Sequence, residues 1–237
     1  ACHMWHLKYP LAGGETYEYV EKDADGNEIL RETRDYIAIA TTRPETMLGD
    51  GAVAVHPDDE RYAPIVGKLC EIPVGPKEHR RLIPIVTAEY PDMTFGSGAV
   101  KITGAHDFND YSVARRNGIP CYRLMDEKAA MRADGDAYAD AAARAAEIVA
   151  SGETPDASVV DDINLVPDEY RGLDRFVARE KVVAEIDAEG LMIAVEDKTI
   201  MQPFGDRSGV VVEPMLTDQW FADAKTLAEP AIASVRE

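Results

Sequence analysis

A strand pattern is followed directly by the start of a helix in one short stretch, Ala99-Val100-Lys101-Ile102-Thr103-Gly104-Ala105-His106-Asp107-Phe108-Asn109-Asp110. Its first residues alternate between apolar and polar, which places Lys101 and Thr103 on the same face of a predicted strand. Asp107 is then the expected N-cap of a helix, and Asp110 lies in its first turn, where the helix dipole favours a carboxylate. Helix capping explains one carboxylate, whereas two carboxylates beside a lysine and a histidine indicate a polar site.

Before this stretch, short apolar runs are separated by turn residues, a pattern typical of strands. A hairpin turn is predicted at Asp25-Gly26-Asn27. Strands crowded in this way favour a small barrel over a parallel sheet. The predicted strands are residues 5–11, 16–21, 36–41, 52–55, 68–72, 82–87 and 99–103.

After residue 103 the apolar residues recur with helical spacing. Glycines directly follow the first and third predicted helices, as is usual at helix ends. Pro230 is expected to start, kink or split the last one. The fold class is therefore α+β, a mixed β-barrel with peripheral α-helices. The predicted helices are residues 107–117, 136–151, 173–189 and 222–236, with a helix start at 58–62, a loop at 151–167 and further strands at 191–195 and 210–212.

The length of 237 residues and a hydrophobic fraction of 46% are typical of one globular domain or slightly more. No apolar run approaches the roughly 18 residues of a membrane span, and no secretory signal is evident, so a soluble, cytoplasmic protein is expected. Cys2, Cys70 and Cys121 are odd in number and widely spaced, which argues against disulfides and a zinc ribbon.

The formal net charge is −19, and part of this charge lies in an acidic, alanine-rich insertion, residues 126–162. Proteins dedicated to nucleic-acid binding usually carry a basic surface, so composition alone argues against that function.

A second polar stretch, Thr41-Thr42-Arg43-Pro44-Glu45-Thr46, follows directly after a predicted strand. Pro44 restricts Arg43 to extended geometry, so the threonine hydroxyls lie on a bent, rigid loop. Such a loop is either a locally hydrogen-bonded turn or a binding loop, and the residues alone leave both open.

A metal site built from His56, His106, Asp107 and Asp110 is the main chemical alternative, because such ligands suit hard or borderline metals. No metal-binding motif has the required spacing, however, and neither a nucleophile elbow nor a phosphate-binding loop is present. We therefore predict no metal and no cofactor.

Three stretches, residues 40–50, 52–62 and 98–110, closely resemble the editing domains of the valyl-tRNA synthetases, which are inserted into the catalytic fold of class I synthetases. The resemblance covers residues 5–237, and residues 213–221 resemble the return to the catalytic domain. It implies an expression scar at 1–4, an editing domain at 5–221 with a helical insertion at 126–189, and the start of the return at 222–237. The H-I-G-H and K-M-S-K-S signatures are absent, so we expect no amino-acid activation.

The resemblance implies post-transfer editing, in which threonyl-tRNA(Val) is hydrolysed and valyl-tRNA(Val) is spared. A known property of these synthetases is that their valine pocket rejects threonine only about a hundredfold, so a second sieve is needed.

The resemblance also implies roles for individual residues. Asp110 matches the carboxylate that holds the substrate's α-ammonium, and Asp107 matches the position expected to read the threonine hydroxyl. The implied catalytic residues are Asp110, Thr42 and Lys101, and the implied substrate-binding residues are Arg43, Thr46, Thr41, Thr103, Asp107 and His106, the last with a possible structural role instead.

Implied partners are the acceptor end of tRNA(Val) carrying threonine and the catalytic and tRNA-binding domains of a longer enzyme, with no membrane. A local basic wall around Lys101 and Arg43 would suffice to receive the charged tRNA end, so tRNA binding should be weak and salt-sensitive. Two alternatives stay open: editing by an isoleucyl or leucyl enzyme, and a noncatalytic tRNA-contacting module.

Overall fold

The strands of the computed structural model form three sheets within residues 2–217 and 222–236, which are the residues that the structure describes. The strand orders are β4-β1-β9, β2-β3 and β6-β7-β5-β8. The strands are β1 (Cys2–Pro10), β2 (Tyr17–Lys22), β3 (Glu28–Arg34), β4 (Tyr36–Thr41), β5 (Ala52–Val55), β6 (Leu69–Glu71), β7 (Leu82–Thr87), β8 (Ala99–Ile102) and β9 (Met192–Lys198).

The first sheet is antiparallel, with β1 between β4 and β9. Leu7 pairs with Ile39 and Tyr9 with Ile37, and all four side chains are fully buried. Every second residue of β4, and of β1 from Trp5 to Tyr9, thus enters the core, as the apolar alternation of the sequence requires.

In the third sheet, β5 pairs parallel with β7 and antiparallel with β8. All four residues of β5 are buried, because both faces of the strand are covered. Val53 and Val55 belong to the main core, whereas Ala52 and Ala54 pack with Val113 in a smaller cluster. This second cluster fixes the following helix against β5 and β8.

The helices flank the sheets. Asp107 caps α1 by accepting the backbone N–H groups of Asn109 and Asp110, and Gly118 ends it at φ 63°. None of the helices in the described ranges has the length and apolar character needed to cross a bilayer. The helices are α1 (Phe108–Asn117), α2 (Tyr138–Ser151), α3 (Ala157–Asp161), α4 (Arg175–Ala188) and α5 (Ala224–Arg236), and α5 continues across Pro230.

The predicted α+β class with peripheral helices is confirmed. The strands, however, form separate sheets and do not close into one barrel in the part of the chain that is described.

Several boundaries differ from the predictions. The hairpin strand β3 and the short α3 were not predicted, and residues 58–62 form turns in place of a helix start. Residues 210–212 contribute only an isolated bridge from Val211 to Phe204. Strand β1 begins at Cys2, so His3 and Met4 pair with β9 although a scar was expected there. Within the predicted return at 213–221, residues 218–221 lie outside the described residues, as does the predicted boundary at 221.

Replacing Leu7 by alanine should destabilise the fold because Leu7 is fully buried on the central strand. We expect the free energy of unfolding to fall by about 2–5 kcal/mol in urea titrations. The matched control is Ile193→Ala on β9, where the side chain is 45% exposed, and this change should cost less than about 1 kcal/mol. Equal losses for the two variants would contradict the assignment of the core.

Candidate functional site

A buried ion pair lies where β8 meets the loop after β4. The Lys101 ammonium donates to Thr46 Oγ1 at 2.7 Å, to Thr103 Oγ1 at 2.5 Å and to Asp50 Oδ1 at 3.2 Å. Asp50 is 0% exposed and also accepts from the Thr103 hydroxyl at 2.5 Å and the Tyr9 hydroxyl at 2.6 Å. All three ammonium hydrogens of Lys101 therefore have acceptors, and we call these five residues the Asp50–Lys101 network.

The loop around Asp50 is held tightly by its surroundings. The Arg81 guanidinium donates to the carbonyl oxygens of Leu48 and Asp50. Glycine flanks Asp50 on both sides, and a Cβ on Gly51 would lie 2.4 Å from Ile119 Cγ2 and 2.7 Å from a backbone oxygen. The chain thus passes too close to residues 119–124 for a larger residue, and the position of Asp50 is fixed.

Asp110 lies beside this network and is 6% exposed. Its Oδ2 accepts the Thr103 backbone N–H at 2.9 Å. Burial raises the pKa of Asp110 to about 6, against the opposing influence of the Lys101 charge. Because Lys101 donates its hydrogen bonds to Asp50, Thr46 and Thr103, the Asp110 carboxylate is held close to a lysine that is already satisfied.

His106 is fully buried, and both ring nitrogens face backbone groups. Nδ1 lies 3.1 Å from the Pro214 carbonyl oxygen, and Nε2 accepts the Leu124 N–H at 2.8 Å. Burial lowers the pKa of His106 to about 3, so the ring is neutral. This geometry ties three chain segments together and leaves no ring nitrogen for a substrate.

Arg43 is fixed by groups distant in sequence. It donates to the His106 carbonyl oxygen at 2.8 Å and pairs with Glu213, which also lies 2.8 Å from Arg175 Nε on α4. The neighbouring Glu45 is fully buried and receives two 2.7 Å hydrogen bonds from Arg179. The polar loop is thereby attached to α4 and to the segment at residue 213.

The expected basic wall around Lys101 and Arg43 is therefore wrong. Lys101 is buried against Asp50, and Arg43 is neutralised by Glu213. The Arg43 side chain keeps 24% exposure, but its charge is already paired within the chain.

The structure brings four of the nine predicted site residues into one hydrogen-bonded group. Thr41 is buried and accepts the Arg43 N–H, and Thr42 and Asp107 are half-buried. His56 lies outside this group, with its Nδ1 accepting the Asp58 N–H, and no cluster of three potential metal ligands occurs among the described residues. The residues brought together are Thr46, Lys101, Thr103 and Asp110.

Sequence reasoning missed the carboxylate partners of the site. Asp50 accepts hydrogen bonds from residues 41, 51 and 53 positions away, and Glu213 pairs with a residue 170 positions away. The only local signal at Asp50 is the pair of glycines beside it.

The arrangement provides a buried carboxylate and several hydroxyl groups next to a saturated ion pair. A carboxylate of this kind suits a primary ammonium, with which it forms a strong charge-assisted hydrogen bond. Asp107, half-buried at the start of the same helix, offers a further polar contact to a small hydroxylated ligand.

Comparison with known proteins finds similar sequences among the valine--tRNA ligases. A valine--tRNA ligase of Ruegeria pomeroyi is 64% identical over 263 residues, covering 100% of this chain and 26% of its own length. That of Caulobacter vibrioides is 48% identical over 232 residues, covering 98% of this chain and 22% of its own length. The chain thus spans about a quarter of the relatives it matches, and no protein-family model matches it.

A solved structure described as "The crystal structure of GlLeuRS-CP1" covers 83% of this chain and 100% of its own, with a TM-score of 0.46 and 14% identity. These sequence relatives belong by name to the aminoacyl-tRNA synthetases. More narrowly, the chain is homologous over its whole length to one segment of the valine--tRNA ligases.

The raised pKa of Asp110 predicts that this carboxylate destabilises the fold at neutral pH. Asp110 titrates near 3.8 in the unfolded chain and near 6 in the folded one, so the folded state binds more protons between these values. Stability contributed by Asp110 is therefore lost as pH rises towards 6, by about 3 kcal/mol at most. Asp110→Asn should be more stable than the parent at pH 7.5 and about equal at pH 4.

Denaturant titrations of both proteins at the two pH values test this prediction. The opposite contribution of His106, whose pKa is lowered, is common to both proteins and cancels in the difference. The control is Asp174→Asn at the exposed N-cap of α4, where asparagine caps equally well. A pH-independent difference between the Asp110 variant and the parent would contradict the burial of a charged Asp110.

Proposed function

We propose that the chain is an editing domain that hydrolyses the ester of threonyl-tRNA(Val) and spares valyl-tRNA(Val). The buried Asp110 carboxylate beside a saturated lysine carries the proposal. Every aminoacyl ester presents an α-ammonium next to its reactive carbonyl, and Asp110 is the group suited to hold it. The name of the valine--tRNA ligase relatives indicates tRNA(Val) as the tRNA in this proposal.

Selection of threonine requires a polar contact that valine cannot make. Asp107 is assigned this contact, since it is half-buried and one helical turn from Asp110. A site that hydrogen-bonds the threonine hydroxyl would leave a polar group unpaired with valine, at a cost of about 1–3 kcal/mol. Thr46 limits the size of the side chain from the other wall.

Hydrolysis in this proposal proceeds by direct attack of water on the ester. The ester is already activated, so positioning of water and stabilisation of the developing oxyanion suffice without a covalent step. Thr41 and Thr42 face the ester and the terminal ribose, whose hydroxyl assists. Lys101, Thr103, Arg43 and His106 act as the scaffold of the site, because their polar groups are bound to other parts of the chain.

The decisive measurement is release of threonine from threonyl-tRNA(Val) by the 237-residue chain, with valyl-tRNA(Val) as the competing substrate. We expect threonine to be released and valine retained. Asp110→Asn should lower the rate by about a hundredfold, because it removes the charged acceptor of the ammonium. That variant is expected to be stable at pH 7.5, so the loss would not reflect unfolding.

Asp174→Asn again serves as the matched control and should retain the parent rate. Faster hydrolysis of valyl-tRNA would indicate editing by an isoleucyl or leucyl enzyme, and tRNA binding without turnover would indicate a noncatalytic module. Loss of activity with a chelator would indicate a metal-dependent hydrolase. Each of these results would overturn the proposal, together with an Asp110→Asn variant that remains fully active.

A further inference from the structure

Three buried charged groups lie together in the site, and the negative groups outnumber the positive one. Asp50 and Asp110 are carboxylates, and Lys101 is the one cation among the three. Lys101 forms its ion pair with Asp50, yet it is close enough to Asp110 to lower the pKa of that carboxylate. The set therefore holds one excess negative charge, and geometry decides which carboxylate carries it.

The contacts of Asp50 determine this choice. Tyr9 donates to one carboxylate oxygen of Asp50, and Lys101 and Thr103 donate to the other. Asp110 receives the backbone N–H of Thr103. The lysine is thus committed to Asp50 by hydrogen bonds, whereas it influences Asp110 only through its field.

We infer that Asp50 is a positioning residue that keeps Lys101 away from Asp110, so that the Asp110 carboxylate stays available for the primary ammonium of the substrate. This inference rests on the proposed function for the identity of the substrate. It adds a role for a residue that does not itself touch the substrate. Without the Asp50 charge, Lys101 would pair with Asp110 and occupy the place of the ammonium.

The titration of Asp110 gives a test that requires no substrate. The ionisable groups that face Asp110 are Lys101, Asp50, Asp107, Tyr90 and Cys121. Burial raises the pKa of Tyr90 and that of Cys121, the latter to about 11, so both are neutral near pH 6. Lys101 and Asp50 are therefore the pair whose rearrangement changes the field at Asp110.

Carboxyl-carbon NMR of Asp110 should show a lower pKa in Asp50→Asn than in the parent. Two changes act in the same direction, since a nearby negative charge is removed and the lysine is released towards Asp110. In the double variant Asp50→Asn/Lys101→Met both charges are absent, and the pKa should return towards the parent value. An unchanged pKa in Asp50→Asn would overturn the inference, whether or not the chain hydrolyses any ester.

The kinetic test compares threonyl-tRNA(Val) with N-acetylthreonyl-tRNA(Val), which lacks the positive charge. Asp50→Asn should lower kcat/KM for the first substrate about 10–100-fold and leave the second nearly unchanged, so the preference for a free ammonium is lost. The double variant should recover the preference. Asp50→Asn alone leaves Lys101 buried without its carboxylate partner, which can impair folding. The double variant lacks this lysine, so its substrate preference can be measured even where the single variant folds poorly.

Glu189→Gln is the matched control, because Glu189 forms an ion pair with Arg80 away from this network. It should leave the preference and the Asp110 titration unchanged. Equal losses on both substrates in Asp50→Asn would overturn the inference and give Asp50 a purely structural role. An inactive parent chain would instead overturn the proposed function, while the Asp110 titration would still decide the role of Asp50.

Discussion

The ion pair between Asp50 and Lys101 is the interaction on which the rest of the site depends. Removing two charges from water is costly, and the cost is offset only when the remaining donors and acceptors are satisfied. Here Tyr9 from β1, Thr46 from the polar loop and Thr103 after β8 complete the hydrogen bonding. The pair therefore joins three separate parts of the chain, and a shift in any of them would leave a buried charge unpaired.

A second set of contacts extends this constraint to the outer parts of the fold. Arg43 and His106 both reach the segment around residue 213, and Glu45 binds Arg179 on α4. The polar loop is thus held from its buried side by Asp50 and from its outer side by α4. Residues that family resemblance assigns to substrate contact, Arg43 and His106 among them, are used to hold the loop in place.

The bounds of elements with a regular apolar pattern could be predicted from the sequence. The strands Tyr36–Thr41, Ala52–Val55 and Leu82–Thr87 have the predicted bounds, because apolar runs and turn residues mark them clearly. Strand β3 was missed because it is largely exposed and lacks an apolar face. The Asp107 cap follows from local spacing, whereas the partners of Asp50 and Arg43 lie tens of residues away and leave no periodic signal.

The acidity of the chain and the arrangement of the site are consistent with each other. With a net charge of −19 and its nearby cations neutralised, the site offers no general attraction for phosphate. A single unpaired carboxylate in such surroundings favours a cation of small size, and the backbone of a nucleic acid gains nothing there. Under the proposed function, recognition at this position comes from the aminoacyl group and its ammonium, and affinity for the rest of a tRNA arises elsewhere.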